Sequence, residues 1–406
     1  MNLIEIPENK YYDYRIKAIF NCYKWDPQYI DNNTLSKYVL LLTQEESEKL
    51  KTLTEKLDSE TSTAEKYLNS HPKIAKKLKL PKELSEQIRN MQSYDESRNI
   101  RLARYDFHPS VDGEWAVTEV NSDVPGGFAE SSLLPDLARK ILDMPRLNYT
   151  SFGEAMVESI NRKLNKNDTI MMVHSTCYSD DRQVMQYMGE RLEREGYHII
   201  YGATNHIKFS DKEAYSILDN YNCKIDLIFR FTSLEWFIKM SPRRWDGYFD
   251  TTTISCNHPI CMYSQTKRFP LVFEDLHKAG INMDTWKKYS PETREVTKEA
   301  LINGSYEYIF KPVYGRAGEN VSIKEACRGE EYKQIINDVK KHPRKYICQR
   351  KFISKPLYDN YGNKFHVCIG SFVIDGKHAG FYGRISPRPR IDSYAADIPI
   401  LIEKDN

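Results

Sequence analysis

No stretch of the 406 residues approaches the ~20 consecutive apolar positions needed to cross a bilayer. The opening Met-Asn-Leu-Ile-Glu-Ile-Pro-Glu lacks the basic and apolar regions of a secretory signal, so a cytoplasmic location is the expectation. An excess of charge of one sign is also missing. The 59 basic and 57 acidic residues leave a formal net charge of +2, which gives no general pull toward nucleic acid or an anionic membrane. Basic pairs such as Lys76-Lys77 and Arg243-Arg244 read as solvated faces. The eight cysteines contain no CxxC pair, and Cys256 and Cys261 lack the spaced partners of a zinc site, so reduced thiols are expected. The ten histidines do not cluster. HExxH, a serine elbow, a catalytic-cysteine signature and GxxxxGK(S/T) are all absent, which speaks against a zinc protease, a serine hydrolase and a P-loop nucleotide site.

What is present is the material of a large folded enzyme. Hydrophobic residues make up 40% and aromatics 12%, enough for a sizeable core and unlike a disordered chain. The length fits two or three domains or one multi-lobed unit. Residues 1–100 read as mostly helical. Thr43 and Glu46 form a capping-box pattern ahead of Leu50, Leu53 and Leu57, which share a helical face. Residues 151–255 read as an open α/β layer. Strands are expected at Thr169–His174, His198–Tyr201 and Ile225–Phe231, with a helix between the first two that Ser179, Asp180 or Asp181 would cap. Strand–helix–strand order implies a mostly parallel sheet with ligands beyond its carboxyl ends, where the Ser175–Asp181 loop lies. From about residue 256 the pattern is α+β. Strands are expected at Tyr308–Val313, Val321–Ile323, Tyr346–Cys348, Val367–Ile374 and Gly380–Ile385.

Residues 101–121 alternate around Asp112-Gly113, a strong two-residue hairpin signal. With those two at the centre of the turn, opposed positions sum to 225. Asp106 then faces Glu119, and Arg104 faces Asn121. Because residues two apart on a strand share a face, the four polar side chains form a two-by-two grid. Tyr105, Phe107 and Val117 or Val120 occupy the other face, Val117 only if the register is bulged. Two carboxylates and an amide oxygen are ligands that magnesium prefers, and a nearby arginine can stabilise a transferring phosphoryl group. A solvated, salt-bridged sheet face gives the same pattern, and the spacing alone does not separate the two.

The segment Lys311-Pro312-Val313-Tyr314-Gly315-Arg316-Ala317-Gly318-Glu319-Asn320 carries a second signal. A lysine at a strand end reaches phosphate, and two glycines let backbone N–H groups approach phosphate oxygens. A ligand-free surface loop is the plain alternative. Lys267, ahead of a helix-like stretch, is a weaker signal of the same kind.

Arg104-x-Asp106, Glu119-x-Asn121 and Lys311-Pro-x-x-Gly-Arg-x-Gly, with the later Gly370-Ser-Phe-Val-Ile-Asp-Gly-Lys, Gly380 and Arg384, resemble the synthetase domain of glutathionylspermidine synthase, an ATP-grasp ligase. The similarity runs from about residue 20 to the C-terminus, where Asp397-Ile-Pro-Ile-Leu-Ile-Glu fits the final strand. The resemblance implies an α+β, ATP-grasp-like multi-lobed fold. A helical N-terminal region would cover 1–100, catalytic lobes 101–150 and 256–406, and an α/β, preATP-grasp-like substrate-side lobe 151–255. It implies an ATP- and magnesium-dependent carboxylate–amine ligase that works through an acylphosphate on a small-molecule or peptide acid and an amine. Two magnesium ions would sit on Asp106, Glu119 and Asn121, with Arg104 stabilising the transition state and Arg384 as a further active-site arginine. Lys267 and Lys311 would contact nucleotide, Gly315, Arg316, Gly318 and Asn320 would form a lid, and Gln349 would line the adenine pocket. Asp180, Asp181 and Glu235 are the substrate-side candidates. The family's Trp-Glu-Thr donor motif is replaced around Leu234-Glu235-Trp236, so the catalytic apparatus carries over better than substrate identity. A phosphotransferase on the same scaffold and a non-catalytic ATP-binding regulatory protein are the rival readings.

Overall fold

Thr43 starts the longest helix, Gln44–Ser70, with the expected capping box. The Glu46 amide donates to Thr43 Oγ1 at 3.1 Å, and the Thr43 amide donates to Glu46 Oε2 at 3.0 Å. Leu50, Leu53, Leu57, Ala64 and Leu68 follow at helical spacing and are all buried. This computed structural model describes residues 1–91, 95–237, 245–315 and 318–404. Arg316 and the pair Arg243-Arg244 lie outside the described residues.

The strands that organise the site run, in chain order, β1 (Asn2–Glu5), β2 (Tyr38–Leu42), β3 (Leu102–Pro109), β4 (Trp115–Asn121), β5 (Thr169–Val173), β6 (His198–Gly202), β7 (Leu227–Arg230), β8 (Ile254–Cys256), β9 (Thr293–Glu295), β10 (Tyr308–Pro312), β11 (Tyr346–Arg350), β12 (Lys364–Ile374), β13 (Lys377–Ser386), β14 (Ala396–Ile398) and β15 (Ile400–Ile402). The central sheet has the order β14-β13-β12-β3-β4 and is antiparallel throughout. Its apolar face, including Tyr105, Phe107, Val117, Ile369 and Val373, joins one core with the 44–70 helix leucines. The 151–255 region forms the expected parallel sheet, in the order β8-β7-β5-β6. A smaller antiparallel sheet, β9-β11-β10, packs Phe310, Tyr346 and Cys348 against Ile335 and Val339 of the Gly329–Lys341 helix. The fold is thus mixed helix and sheet, and β2 also runs parallel to β15, joining the two ends of the chain.

Three local expectations need correction. Val321–Ile323 is not a strand. The Ser322 amide does reach Phe310 O at 3.1 Å, but the Phe310 amide donates to the Ser322 hydroxyl instead of a backbone carbonyl, so no ladder forms. The Ser179–Arg194 helix has Tyr178 at its N-cap, with no side-chain cap bond there, and Ser179, Asp180 and Asp181 all lie inside its first turn, so none of the three is the N-cap residue. The closing segment is two strands, β14 and β15, because Pro399 has no N–H to continue one ladder.

Candidate active site

The hairpin grid forms, by a different route from the expected turn. Arg104 pairs with Asn121 and Asp106 with Glu119. The loop, however, has three residues, Val111 to Gly113. The Ser110 amide donates to Glu114 O, the Gly113 amide donates to Ser110 O, and Gly113 takes φ +86°. That geometry, a turn ending in a left-handed glycine, is the common three-residue hairpin loop. It shifts opposed positions to a sum of 224, as in Pro109 with Trp115 and Phe107 with Val117. A bulge at Thr118 then restores 225 before the grid. The bulge also puts Val117 on the buried face beside Tyr105 and Phe107, while Thr118 and Glu119 both face the cavity.

Arg104 is held on several sides. Its Nε donates to Asp106 Oδ1 at 2.7 Å and its Nη2 to Asp106 Oδ2 at 3.0 Å, a bidentate pair. Nη1 donates to Gly126 O at 2.7 Å. Asn121 Nδ2 donates to Asp106 Oδ2 at 3.1 Å. Gly126 belongs to the loop after β4, which is fastened to the parallel sheet. Asp123 in that loop is fully buried and accepts from Arg230 Nη2 (2.6 Å), Ser233 Oγ (3.0 Å) and the Leu234 amide (2.8 Å). Asn257 Nδ2 donates to the carbonyls of Leu102, Ser122 and Asp123, and Gln265 Oε1 accepts from the amides of Ser122 and Asp123.

The two expected lysines come to the same place. Lys267 Nζ lies 2.8 Å from Glu119 Oε2 and donates to Gly315 O at 2.7 Å, so it ties the grid to the glycine loop. Lys311, near the end of β10, is buried. Burial pushes its ammonium down to about 8, with Glu119 opposing the shift and Lys267 reinforcing it. Glu119 moves the other way. Burial raises its carboxyl, but Lys267, Lys311 and Arg104 outweigh that and hold it at about 2. His108 on β3 is pushed down to about 4 by burial and by Lys311, so it is neutral at pH 7.

Arg104, Asp106, Glu119, Asn121, Lys267, Lys311, Gly315, Gly318, Glu235 and Arg384 all line one solvent-open cavity of about 230 Å³. Gly318 has φ +67°, and a Cβ there would fall 2.2 Å from Ile391 O, so the loop needs glycine both for its backbone and for its close approach to the 387–395 segment. Arg384 donates from Nη2 to Asp392 O at 2.7 Å and Ala395 O at 3.2 Å, with its Nε 4.0 Å from Asp397.

Other expected residues lie elsewhere. Asp180 and Asp181 are in the first turn of the 179–194 helix and do not line the cavity. Asn320 is exposed, at φ +56°, and faces a second opening beside Arg344 and Lys345. Gln349 lies in the floor of a small adjoining cavity with Lys267, Glu119 and Thr118. Its Nε2 donates to Thr293 Oγ1 at 3.0 Å, and its buried Oε1 has no hydrogen-bond partner among the described residues.

Several lining residues were not expected, namely Tyr382, Cys368, His108, Gln265 and Arg390. Strand alternation was a usable signal for two of them. Tyr382 is two residues before Arg384 on β13, and His108 two after Asp106 on β3. Cys368 faces the cavity because β12 pairs it with Arg384, a register that the sequence does not specify.

The fold resembles that of a glutathione synthetase-like effector from Globodera pallida, solved in the apo form. The TM-score is 0.63 at 14% identity, covering 97% of this chain and 96% of that one. A putative gamma-glutamylcysteine synthetase from Methylobacillus flagellatus aligns at a TM-score of 0.44 and 12% identity, over 83% of this chain and 86% of that one. No curated protein matches the sequence. The glutathionylspermidine synthase preATP-grasp family model matches residues 15–403. With nearly the whole length matched, the chain belongs to the glutathionylspermidine synthase preATP-grasp family.

Proposed function

We propose that this protein is an ATP- and magnesium-dependent carboxylate–amine ligase of ATP-grasp type, forming an amide through an acylphosphate. The observation that carries the reading is the convergence of Arg104, Asp106, Glu119, Asn121, Lys267 and Lys311, from three separate segments, on one cavity. A solvated sheet face would not bury Lys311 or Asp106, each 7% exposed.

The donor set fits magnesium. Asp106 and Glu119 supply carboxylate oxygens and Asn121 an amide oxygen, the hard ligands that this ion takes alongside waters and phosphate oxygens. Among the described residues no group of three or more His, Cys, Asp or Glu could hold a metal by itself, which favours an ion shared with substrate phosphates over a closed protein cage. When bound, magnesium would shield phosphate charge. The remaining work falls to the chain. Lys267 and Lys311 bind the nucleotide's phosphates, and Arg104, already fixed in direction, stabilises the charge of the transferring phosphoryl group and of the tetrahedral oxyanion formed on amine attack. Gly315 and Gly318, which line the cavity, border the nucleotide and help keep water from the acylphosphate. Glu235 offers a carboxylate to a cationic amine, and Arg384 a guanidinium to the acid. The 1–100, 151–255 and paired 101–150 and 256–406 regions then divide into helical, substrate-side and catalytic parts.

A screen of acids and amines should give ATP-dependent phosphate release that requires both, with the condensed product seen by mass spectrometry. Asp106→Ala and Glu119→Ala should abolish it in folded protein. Full turnover in either variant would remove the metal assignment, and phosphate transfer that ignores the amine would favour a phosphotransferase.

A further inference from the structure

Tyr382 and Lys24 take no part in the function derived so far, yet both connect to Arg104. The Tyr382 ring lies under the Arg104 guanidinium, with 5.1 Å from Cζ to the ring centroid. On the far side of the ring the Tyr382 hydroxyl donates to Asp397 Oδ1 at 2.6 Å. The other oxygen of Asp397 is 2.6 Å from Lys24 Nζ, which also donates to Glu130 Oε1 at 3.0 Å. The Lys24, Glu130 and Asp397 side chains are 13%, 9% and 7% exposed, so this chain of contacts is nearly dry. The ring is also confined by backbone. A Cβ on Gly127 would fall 2.7 Å from it, and Gly127 follows the Gly126 whose carbonyl takes Arg104 Nη1.

We propose that Tyr382, tethered through Asp397 to Lys24, is the positioning residue for Arg104, and that it holds the guanidinium in place once Asp106 is engaged elsewhere. The reason is a conflict in the site. Asp106 accepts the Arg104 fork with both oxygens and also accepts from Asn121. A carboxylate that turns to a cation weakens that fork, so Arg104 needs holders that do not compete for the cation. Gly126 O and the Tyr382 ring are two such holders, since a carbonyl 2.7 Å from Nη1 and a ring whose centroid lies 5.1 Å from Cζ leave Asp106 free. Cation–π attraction strengthens where water is excluded. The tether fixes the ring because its hydroxyl ends on a carboxylate that is already locked by a buried ammonium.

The kinetic part of this proposal rests on the ligase reading, so its test has a second arm that does not. Tyr382→Phe keeps the ring and loses the tether, while Tyr382→Leu loses both. With an acid and amine found to turn over, Tyr382→Leu should lower kcat by roughly ten-fold or more with little change in the KM for ATP, and Tyr382→Phe by a few-fold. In an Arg104→Ala background Tyr382→Leu should cost nothing further, because the residue acts through Arg104. The second arm uses arginine labelled with nitrogen-15, the Arg104 Nε–H signal being assigned by its loss in Arg104→Ala. The ring current of Tyr382 should displace that signal, and Tyr382→Leu should return it toward the bulk of the arginines. Should the leucine variant not fold, Tyr382→Phe decides, by faster Nε–H exchange than in the wild type. An unmoved signal in folded Tyr382→Leu, unchanged exchange in Tyr382→Phe, or losses that multiply with Arg104→Ala would each overturn the proposal. A wild type without turnover refutes the ligase reading instead, and the spectroscopic arm still decides the role of Tyr382.

Discussion

Gly370→Ala is a one-carbon test of how finely Arg104 is placed. Gly370 sits in β12 between Asp106 on β3 and Tyr382 on β13. Its backbone is ordinary strand, so the requirement for glycine is one of space. A Cβ there would stand 2.6 Å from Arg104 Cδ and 2.8 Å from Nε. Carbon atoms in contact need about 3.5 Å, so the stem of Arg104 must retreat by roughly 0.9 Å or the sheet must spread. Retreat is resisted by the Asp106 fork and by Gly126 O. Either outcome costs about 1–3 kcal/mol of stability, as overpacking does. The larger effect should be on rate. A misplacement of about 1 Å at a group that acts on the transition state costs on the order of 100-fold in kcat, or about 2.7 kcal/mol. The assay is amine-dependent phosphate release at saturating ATP, paired with a thermal melt to show that the fraction folded is unchanged. A folded Gly370→Ala protein with wild-type kcat would refute the claim that Arg104 must lie where it does.

Two further outcomes follow from buried charge. Lys311 has an ammonium lowered to about 8 from an ordinary 10.5, and its protonated form is the one that attracts phosphate. Nucleotide affinity should therefore fall as pH rises through about 8. Between that pH and the higher pKa of the complex, binding should take up a proton. Titration calorimetry in two buffers of different ionisation enthalpy measures the uptake, and Lys311→Arg should abolish it; equal heats in both buffers for the wild type at pH 9 would contradict the assignment. Asp123→Ala should destabilise the protein by about 3–5 kcal/mol in denaturant unfolding, because it leaves the buried Arg230 guanidinium without its counter-ion. A loss below about 1 kcal/mol would mean that Arg230 has another route to compensation.

Much of the site was legible in the sequence because its parts are local. The grid needs two strands and one turn, and alternation around Asp112-Gly113 supplied both. The pairing came out as expected through two departures that cancel, a loop of three residues in place of two and the extra residue at Thr118. Nothing in a single sequence marks Thr118 as a bulge. Lys311, Gly315 and Gly318 were legible because a lysine ahead of closely spaced glycines is a local pattern too. Other residues depend on non-local pairing. Cys368 enters through strand register, and Lys24 acts across more than 370 residues of chain on Asp397. The substrate-side expectation divided for the same reason. Glu235 faces the cavity, whereas the Asp180-Asp181 turn, placed by the rule for parallel sheets, does not, because the cavity lies on the central antiparallel sheet. The burial of Asp123 and Arg230 was equally hidden, since charged residues give no sign in sequence of being paired inside.

The central claim is that phosphate passes from ATP to a carboxylate before the amide forms. The most direct measurement uses an acid that supports amine-dependent turnover, labelled with oxygen-18 in its carboxyl group. An acylphosphate leaves one carboxyl oxygen on the phosphate, so the account predicts one labelled oxygen in each inorganic phosphate released, detected by mass spectrometry or by the isotope shift in phosphorus NMR. Released phosphate without label, formed at the same rate as the amide, would contradict it.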